Sequence, residues 1–187
     1  MGEKVYIIHN WDGTPGTNWY PWLKQELEAK GFLVVVPEMP DTAEPVIEKW
    51  VEHLKNIISV PDDKTYFIGH SIGCQTAMRY LESSNDVKIG GALFVAGWFK
   101  LDNLEDKEVA RIAEPWLTTP INFEKVKNSI TKLHVLLSSD DPYDCTEENK
   151  SVFIEKLSAE VLVENDKGHF TREKYEGILE EFLKIAS

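Results

Sequence analysis

No hydrophobic run in this 187-residue chain is long enough to cross a bilayer. The longest, Gly90 to Phe99, is about half of the roughly 20 residues a spanning helix needs. Cysteine is scarce: Cys74 and Cys145 alone cannot build a disulfide framework or a zinc spacing, and a reducing compartment suits them. Basic residues are few, 20 Lys and Arg against 32 Asp and Glu, and the formal net charge of −12 repels phosphate backbones and anionic lipid. Nucleic acid and membrane are therefore not expected partners. No His or Cys cluster has ligand spacing, so no metal is expected. Gly13 to Gly16 lacks the Gly-Lys-Ser/Thr end of a phosphate loop, and no cofactor is expected either. A strand-like run begins at Lys4, which leaves no signal-peptide pattern, and Tyr6 stands where myristoylation requires Ser or Thr. The expectation is a soluble, cytoplasmic protein.

What is present is ordinary globular material: 42% hydrophobic and 28% charged residues, in a length that suits one domain over 1–187. Short β-branched runs predict strands at Lys4 to His9, Phe32 to Val36, Thr65 to Gly69, Lys88 to Ala96, Lys132 to Ser138 and Ala159 to Glu164. Helical patterns fall between them. Trp50, Val51, Leu54, Ile57 and Ile58 form one stripe, and Tyr175, Ile178, Leu179, Phe182 and Leu183 another. Further helices are expected at Trp19 to Ala29, at Ile72 to Glu82, and near Glu147 to Leu157 with Thr146 as N-cap. This alternation predicts an α/β fold, a mostly parallel six-stranded sheet with helices on both faces. The segment around 100–130, charged and carrying Pro115, Trp116, Pro120 and Phe123 without a clear strand, breaks the alternation and suggests a small lid-like insertion.

The strongest local signal is Gly69-His70-Ser71-Ile72-Gly73, a G-x-S-x-G placed between the apolar run Tyr66 to Ile68 and a helical pattern. That setting is the strand, sharp turn and helix of a nucleophile elbow, in which small flanking residues let the serine take a strained backbone. A serine hydroxyl needs a base, and the base needs an orienting acid. With such an elbow the partners follow in the chain order Ser, acid, His, which sets aside His9, His53 and His70. His134 lies inside a predicted strand and reads as structural. His169 follows the last strand on a loop, where it can reach the sheet rim.

The acid should leave the preceding strand, where Asp140 and Asp141 both stand. Pro142 disfavours the helical region for the residue before it and holds Asp141 extended, so Asp141 is chosen. An oxyanion hole needs backbone N–H groups. The amide of Ile72, next to the nucleophile, is one candidate, and that of Trp11, in the loop after the first strand, is the other.

Several stretches resemble one family: Val5-Tyr6-Ile7-Ile8-His9, Trp19 to Lys24, Met39-Pro40, Gly69-His70-Ser71, Ala77 to Tyr80, Asp140-Asp141-Pro142 and Gly168-His169-Phe170. Together they look like the small serine hydrolases that include the retinoblastoma-binding serine hydrolase and bacterial YdeN-type proteins. The resemblance implies a compact α/β-hydrolase with a reduced lid and a triad mapping onto Ser71, Asp141 and His169. The chain departs from the family in its first loop, with His9-Asn10 where His-Gly is frequent. It also lacks a Leu-x-Cys-x-Glu motif, Tyr143 standing for Leu in the nearest match, Tyr143 to Glu147, so no protein partner is assigned. Two functions follow as hypotheses. One is an esterase-like acyl hydrolase acting on small-molecule esters, a choice drawn from Trp11, Trp19, Tyr20, Trp22, Trp98, Phe99 and Trp116. The other is a non-catalytic binding or scaffolding protein on the same fold.

Overall fold

Six parallel strands make one sheet in the computed structural model, which describes residues 2–85, 87–104, 106–143 and 145–187. Glu105 of the 100–130 segment and Asp144 of the Tyr143 to Glu147 stretch lie outside the described residues. In chain order the elements are β1 (Lys4–Ile8), α1 (Tyr20–Ala29), β2 (Leu33–Val35), α2 (Ile47–Ile57), β3 (Thr65–His70), α3 (Ile72–Ser83) and β4 (Ile89–Val95). Then come α4 (Lys107–Thr118), α5 (Phe123–Ser129), β5 (Ile130–Ser138), α6 (Thr146–Leu157), β6 (Glu160–Glu164) and α7 (Glu176–Ile185). All six predicted strands are present, with ends shifted by up to two residues. The largest shift, at the start of β5, arises because Ile130 finds Ile89 of β4 to pair with, which no local pattern reveals.

The sheet order β2-β1-β3-β4-β5-β6 reverses direction at β1 and β3. In a doubly wound sheet the loops leaving these two strands diverge and open a crevice at the carboxyl edge. Period-two alternation divides the core. Val5, Ile7, Tyr66 and Ile68 face α1 and α7 with Trp19, Tyr20, Leu23, Ile178 and Phe182. Tyr6, Ile8 and Phe67 face the opposite layer with Trp50, Leu54, Met78, Trp116 and Phe153.

Two local expectations change, and one segment gains definition. Ile57 of the α2 stripe is 37% exposed, whereas Ile58 is buried, because the helix ends at Ile57 and the chain turns extended there. Thr146 is the first residue of α6 and not its cap; its hydroxyl donates to the Ser138 carbonyl at 2.7 Å and ties the helix start to the end of β5. The 100–130 segment holds two helices. α4 starts on Asp106, whose carboxylate accepts from Glu108 and Val109 N–H, and runs through Pro115. The proline removes one helical bond. Trp116 is fully buried and donates to the Pro45 carbonyl at 3.0 Å, while Arg79 donates to the carbonyls of Trp116 and Thr119. Those partners hold α4 against α3 and against the loop before α2 despite the lost bond.

Candidate active site

Ser71 sits between β3 and α3 with φ 55° and ψ −119°, a strained backbone for a side chain larger than glycine. Its flanking glycines are required by space. A Cβ on Gly69 would lie 2.7 Å from the Cys74 backbone, across the bend. A Cβ on Gly73 would lie 2.2 Å from the Ile8 carbonyl, so the second glycine answers to the neighbouring strand and not to the bend. Ser71 N–H donates to Val95 O at 2.8 Å, which pins the turn to β4.

The loops after β5 and β6 bring two side chains to Ser71 at this rim. His169, in the loop after β6, has Nε2 2.8 Å from Ser71 Oγ and Nδ1 2.8 Å from Asp141 Oδ2, in the loop after β5. Since Nδ1 faces a carboxylate it carries the proton, and Nε2 is left bare to accept from the serine hydroxyl. Asp141 Oδ1 accepts from Tyr143 N–H at 3.1 Å, which fixes the carboxylate plane. Asp140 does something else. Its Oδ1 accepts from the Ser138 hydroxyl and from the N–H groups of Lys167 and Gly168, both at 3.1 Å. The Ser138 hydroxyl and the Gly168 N–H hold its carboxyl below the usual range. One aspartate thus meets the imidazole and its neighbour clamps the loop that carries it.

Behind the serine lies a network that the sequence reading missed. His70 is fully buried; its Nε2 donates to His169 O at 2.8 Å, and its Nδ1 accepts from Tyr20 OH at 2.6 Å. Burial pushes the His70 imidazole down to about 3, so it is neutral. Tyr20 OH also accepts Asn10 N–H at 3.0 Å and contacts Asn10 Oδ1 at 2.7 Å. The base loop and the first loop are therefore joined through one Tyr–His brace. The Trp11 and Ile72 backbone N–H groups take no hydrogen-bond partner among the described residues, whereas Asp12 and Gly13 N–H are spent on Thr42 and Asn10 carbonyls.

A cavity of about 180 Å³ opens over Ser71 and His169. Its walls are mostly apolar: Trp11, Trp98, Leu101, Leu104, Val109 and Tyr143. Of the seven aromatic residues singled out from the sequence, only Trp11 and Trp98 line it. Trp19, Tyr20 and Trp116 belong to the core, Phe99 packs edge-on against Phe123 and at a tilt against Phe153, and Trp22 lies under Lys174. Trp98 goes further, donating from Nε1 to Ser71 Oγ at 3.1 Å. His134 stands mid-strand in β5 on Glu181, away from this rim. The Cys74 thiol is buried one turn into α3 and pushed up by that burial, which leaves it unreactive. Among the described residues no cluster of three His, Cys, Asp or Glu side chains can hold a metal ion, and no helix is long and apolar enough to cross a membrane.

Residues 5–185 match the model of a family described as serine hydrolase. YdeN of Bacillus subtilis (strain 168) is 29% identical over 142 residues, 75% of this chain and 72% of its own length. Serine hydrolase RBBP9 of Rattus norvegicus is 28% identical over 179 residues, 95% of this chain and 91% of its own. Among solved structures, the crystal structure of the ydeN gene product from B. subtilis superposes with a TM-score of 0.89 at 23% identity, covering 98% of both chains. That last likeness is one of fold, the compact α/β type.

Proposed function

The chain belongs to the serine hydrolase family, and on that premise we propose that it is a carboxylesterase-like enzyme that cleaves small acyl substrates through an acyl-enzyme on Ser71. The observation that carries this reading is the continuous line of hydrogen bonds from Asp141 through His169 to Ser71 Oγ. In acylation, Ser71 Oγ attacks the substrate carbonyl while its proton passes to His169 Nε2, and Asp141 stabilises the imidazolium that forms. The carbonyl electron pair moves onto oxygen, where the amides of Trp11 and Ile72 act as the oxyanion hole. Collapse expels the alcohol, protonated by His169. Water then repeats the sequence against the acyl carbon, and Oγ leaves with the proton returned by His169.

The apolar walls and modest volume of the cavity suit a short, uncharged acyl group. Leu104 and Val109 come from the 100–130 segment, which supports reading that stretch as a reduced lid on a single domain spanning 1–187. The two cysteines, both buried thiols, suit a cytoplasmic setting.

The test is labelling with a fluorophosphonate probe. The intact protein is expected to label and Ser71→Ala to remain unlabelled. Equal labelling of both, or of neither, overturns the reading and returns the chain to the non-catalytic binding hypothesis.

A further inference from the structure

Ser71 Oγ has one proton to give and two lone pairs. Among the described residues two groups stand within hydrogen-bond reach of it, His169 Nε2 at 2.8 Å and Trp98 Nε1 at 3.1 Å. An indole N–H is only a donor, so Trp98 occupies one lone pair and the serine proton is left for His169. Donor and acceptor roles then run in a single direction, from Trp98 to Ser71 to His169 to Asp141.

Several contacts hold the indole there. Trp98 is 3% exposed, and its carbonyl accepts from Gln75 Nε2 at 3.0 Å, on the helix that starts at the nucleophile. The preceding residues are fixed as well: Ala96 N–H donates to Leu136 O at 2.8 Å, and Gly97 is pressed so closely on Phe153 and Cys74 that a Cβ would lie 2.8 Å from the phenyl ring. The donor is preorganised at the reacting oxygen, in a site largely removed from water.

From this geometry, and resting on the acyl-hydrolase reading above, we propose that Trp98 is a further catalytic residue: its indole N–H stabilises the negative charge that develops on Ser71 Oγ. The charge appears twice. In acylation the Ser71 O–H bond breaks, the proton goes to His169 Nε2 and the Oγ electron pair forms the bond to the acyl carbon. In deacylation the water-derived oxygen is bonded to that carbon, the Oγ–C bond breaks, and its electron pair returns to Oγ, which takes the proton back from His169. A hydrogen bond to an oxygen gaining charge is shorter and stronger than one to a neutral hydroxyl or an ester oxygen. It therefore binds the transition state better than the states on either side, which is the condition for a contribution to rate.

The experiment replaces the N–H without the ring. Trp98→Phe and Trp98→benzothienylalanine, the second isosteric with indole but lacking the donor, are compared with the intact protein and with Ser71→Ala. The readouts are fluorophosphonate labelling rate, and burst and steady-state rates with p-nitrophenyl acetate. Both Trp98 variants are expected to label about tenfold more slowly and to lose both phases by a similar factor, the scale of one charge-assisted bond, while KM for the ester and the melting temperature of the benzothienyl variant stay unchanged. Wild-type rates in the benzothienyl variant overturn the proposal and leave Trp98 as a wall of the cavity. A rise in KM with kcat intact overturns it too. An intact protein that does not label, or a Ser71→Ala variant that does, sinks the hydrolase reading itself, which is a separate result.

Discussion

Among the described residues two histidines meet a carboxylate through Nδ1, and only one of them faces a hydroxyl. At the carboxyl rim, His169 Nδ1 meets Asp141 at 2.8 Å; under α7, His134 Nδ1 meets Glu181 at 3.1 Å. The two imidazoles are equally accessible, 13% each. What separates them is the second nitrogen. His169 Nε2 faces Ser71 Oγ, whereas His134 Nε2 faces another carboxylate, Glu160, at 3.5 Å. A pair of this kind is a common structural device. It becomes a candidate base only where a strained turn presents a hydroxyl to the free nitrogen, and that happens where the strands end and not in the middle of one.

The comparison is sharpest at its extremes. Ser71→Ala and His169→Ala are each expected to lower turnover of a p-nitrophenyl ester by about 10⁴-fold or more, the scale of losing a member of a nucleophile–base unit. His134→Gln is expected to keep turnover within about twofold and to lower the unfolding free energy by about 1 kcal/mol, through the Glu181 hydrogen bond it weakens. Comparable losses of turnover in His134→Gln and His169→Ala would erase the distinction between the two pairs.

The carboxylates make the next contrast. Asp141→Asn is expected to cost about 10²–10⁴-fold in kcat, because an amide can no longer fix the imidazole tautomer. Glu181→Gln is expected to leave kcat alone. Asp140→Asn falls between them: it keeps an acceptor for the Lys167 and Gly168 N–H groups but loses the charge, so the loop carrying His169 loosens and kcat drops about tenfold with KM little changed. A larger loss in Asp140→Asn than in Asp141→Asn would exchange the roles of the two neighbours.

How much of this was readable beforehand follows the range of the interactions. Ser71 announces itself because its signature is local, an apolar run, two glycines and a helical pattern within a few residues, although the second glycine answers to Ile8 on β1. His169 and Asp141 stand out through chain order and through Pro142. The strands are visible as β-branched runs, while their ends depend on partners such as Ile89 for Ile130. α4 is hidden because Pro115 interrupts a stripe of Ile112, Ala113 and Trp116 that only tertiary contacts sustain. Trp98 meets Ser71 across 27 positions, Tyr20 meets His70 across 50, and His70 meets the His169 carbonyl across 99. Chain order sets His70 aside as a base, and nothing beside it in the sequence reveals a brace between two loops.

His70 also extends the comparison to protonation, with the smallest effect. Like His134 it is held at both nitrogens, but by neutral partners, a phenol and a carbonyl. Burial then dominates and pushes its pKa down to about 3, whereas an unfolded histidine titrates near 6.5. Below about pH 6.5 the unfolded chain takes up a proton that the folded one refuses, so stability is full above that pH and falls as the solution is acidified toward 3. The loss at pH 5.5 is on the order of 1 kcal/mol from this residue. His9, also lowered by burial, adds in the same direction. The carboxylate of the other pair acts in a different window. Burial pushes Glu181 up, but hydrogen bonds from Lys184 and His134 carry it net below its ordinary value, so its contribution is present above about pH 4.5 and is lost only under stronger acid. Denaturant unfolding from pH 7.5 to 5 is therefore expected to show a decline that His70→Gln makes shallower. A slope in that range insensitive to His70→Gln would mean that the brace accepts a proton in the folded state, and that neutral partners do not keep this imidazole uncharged.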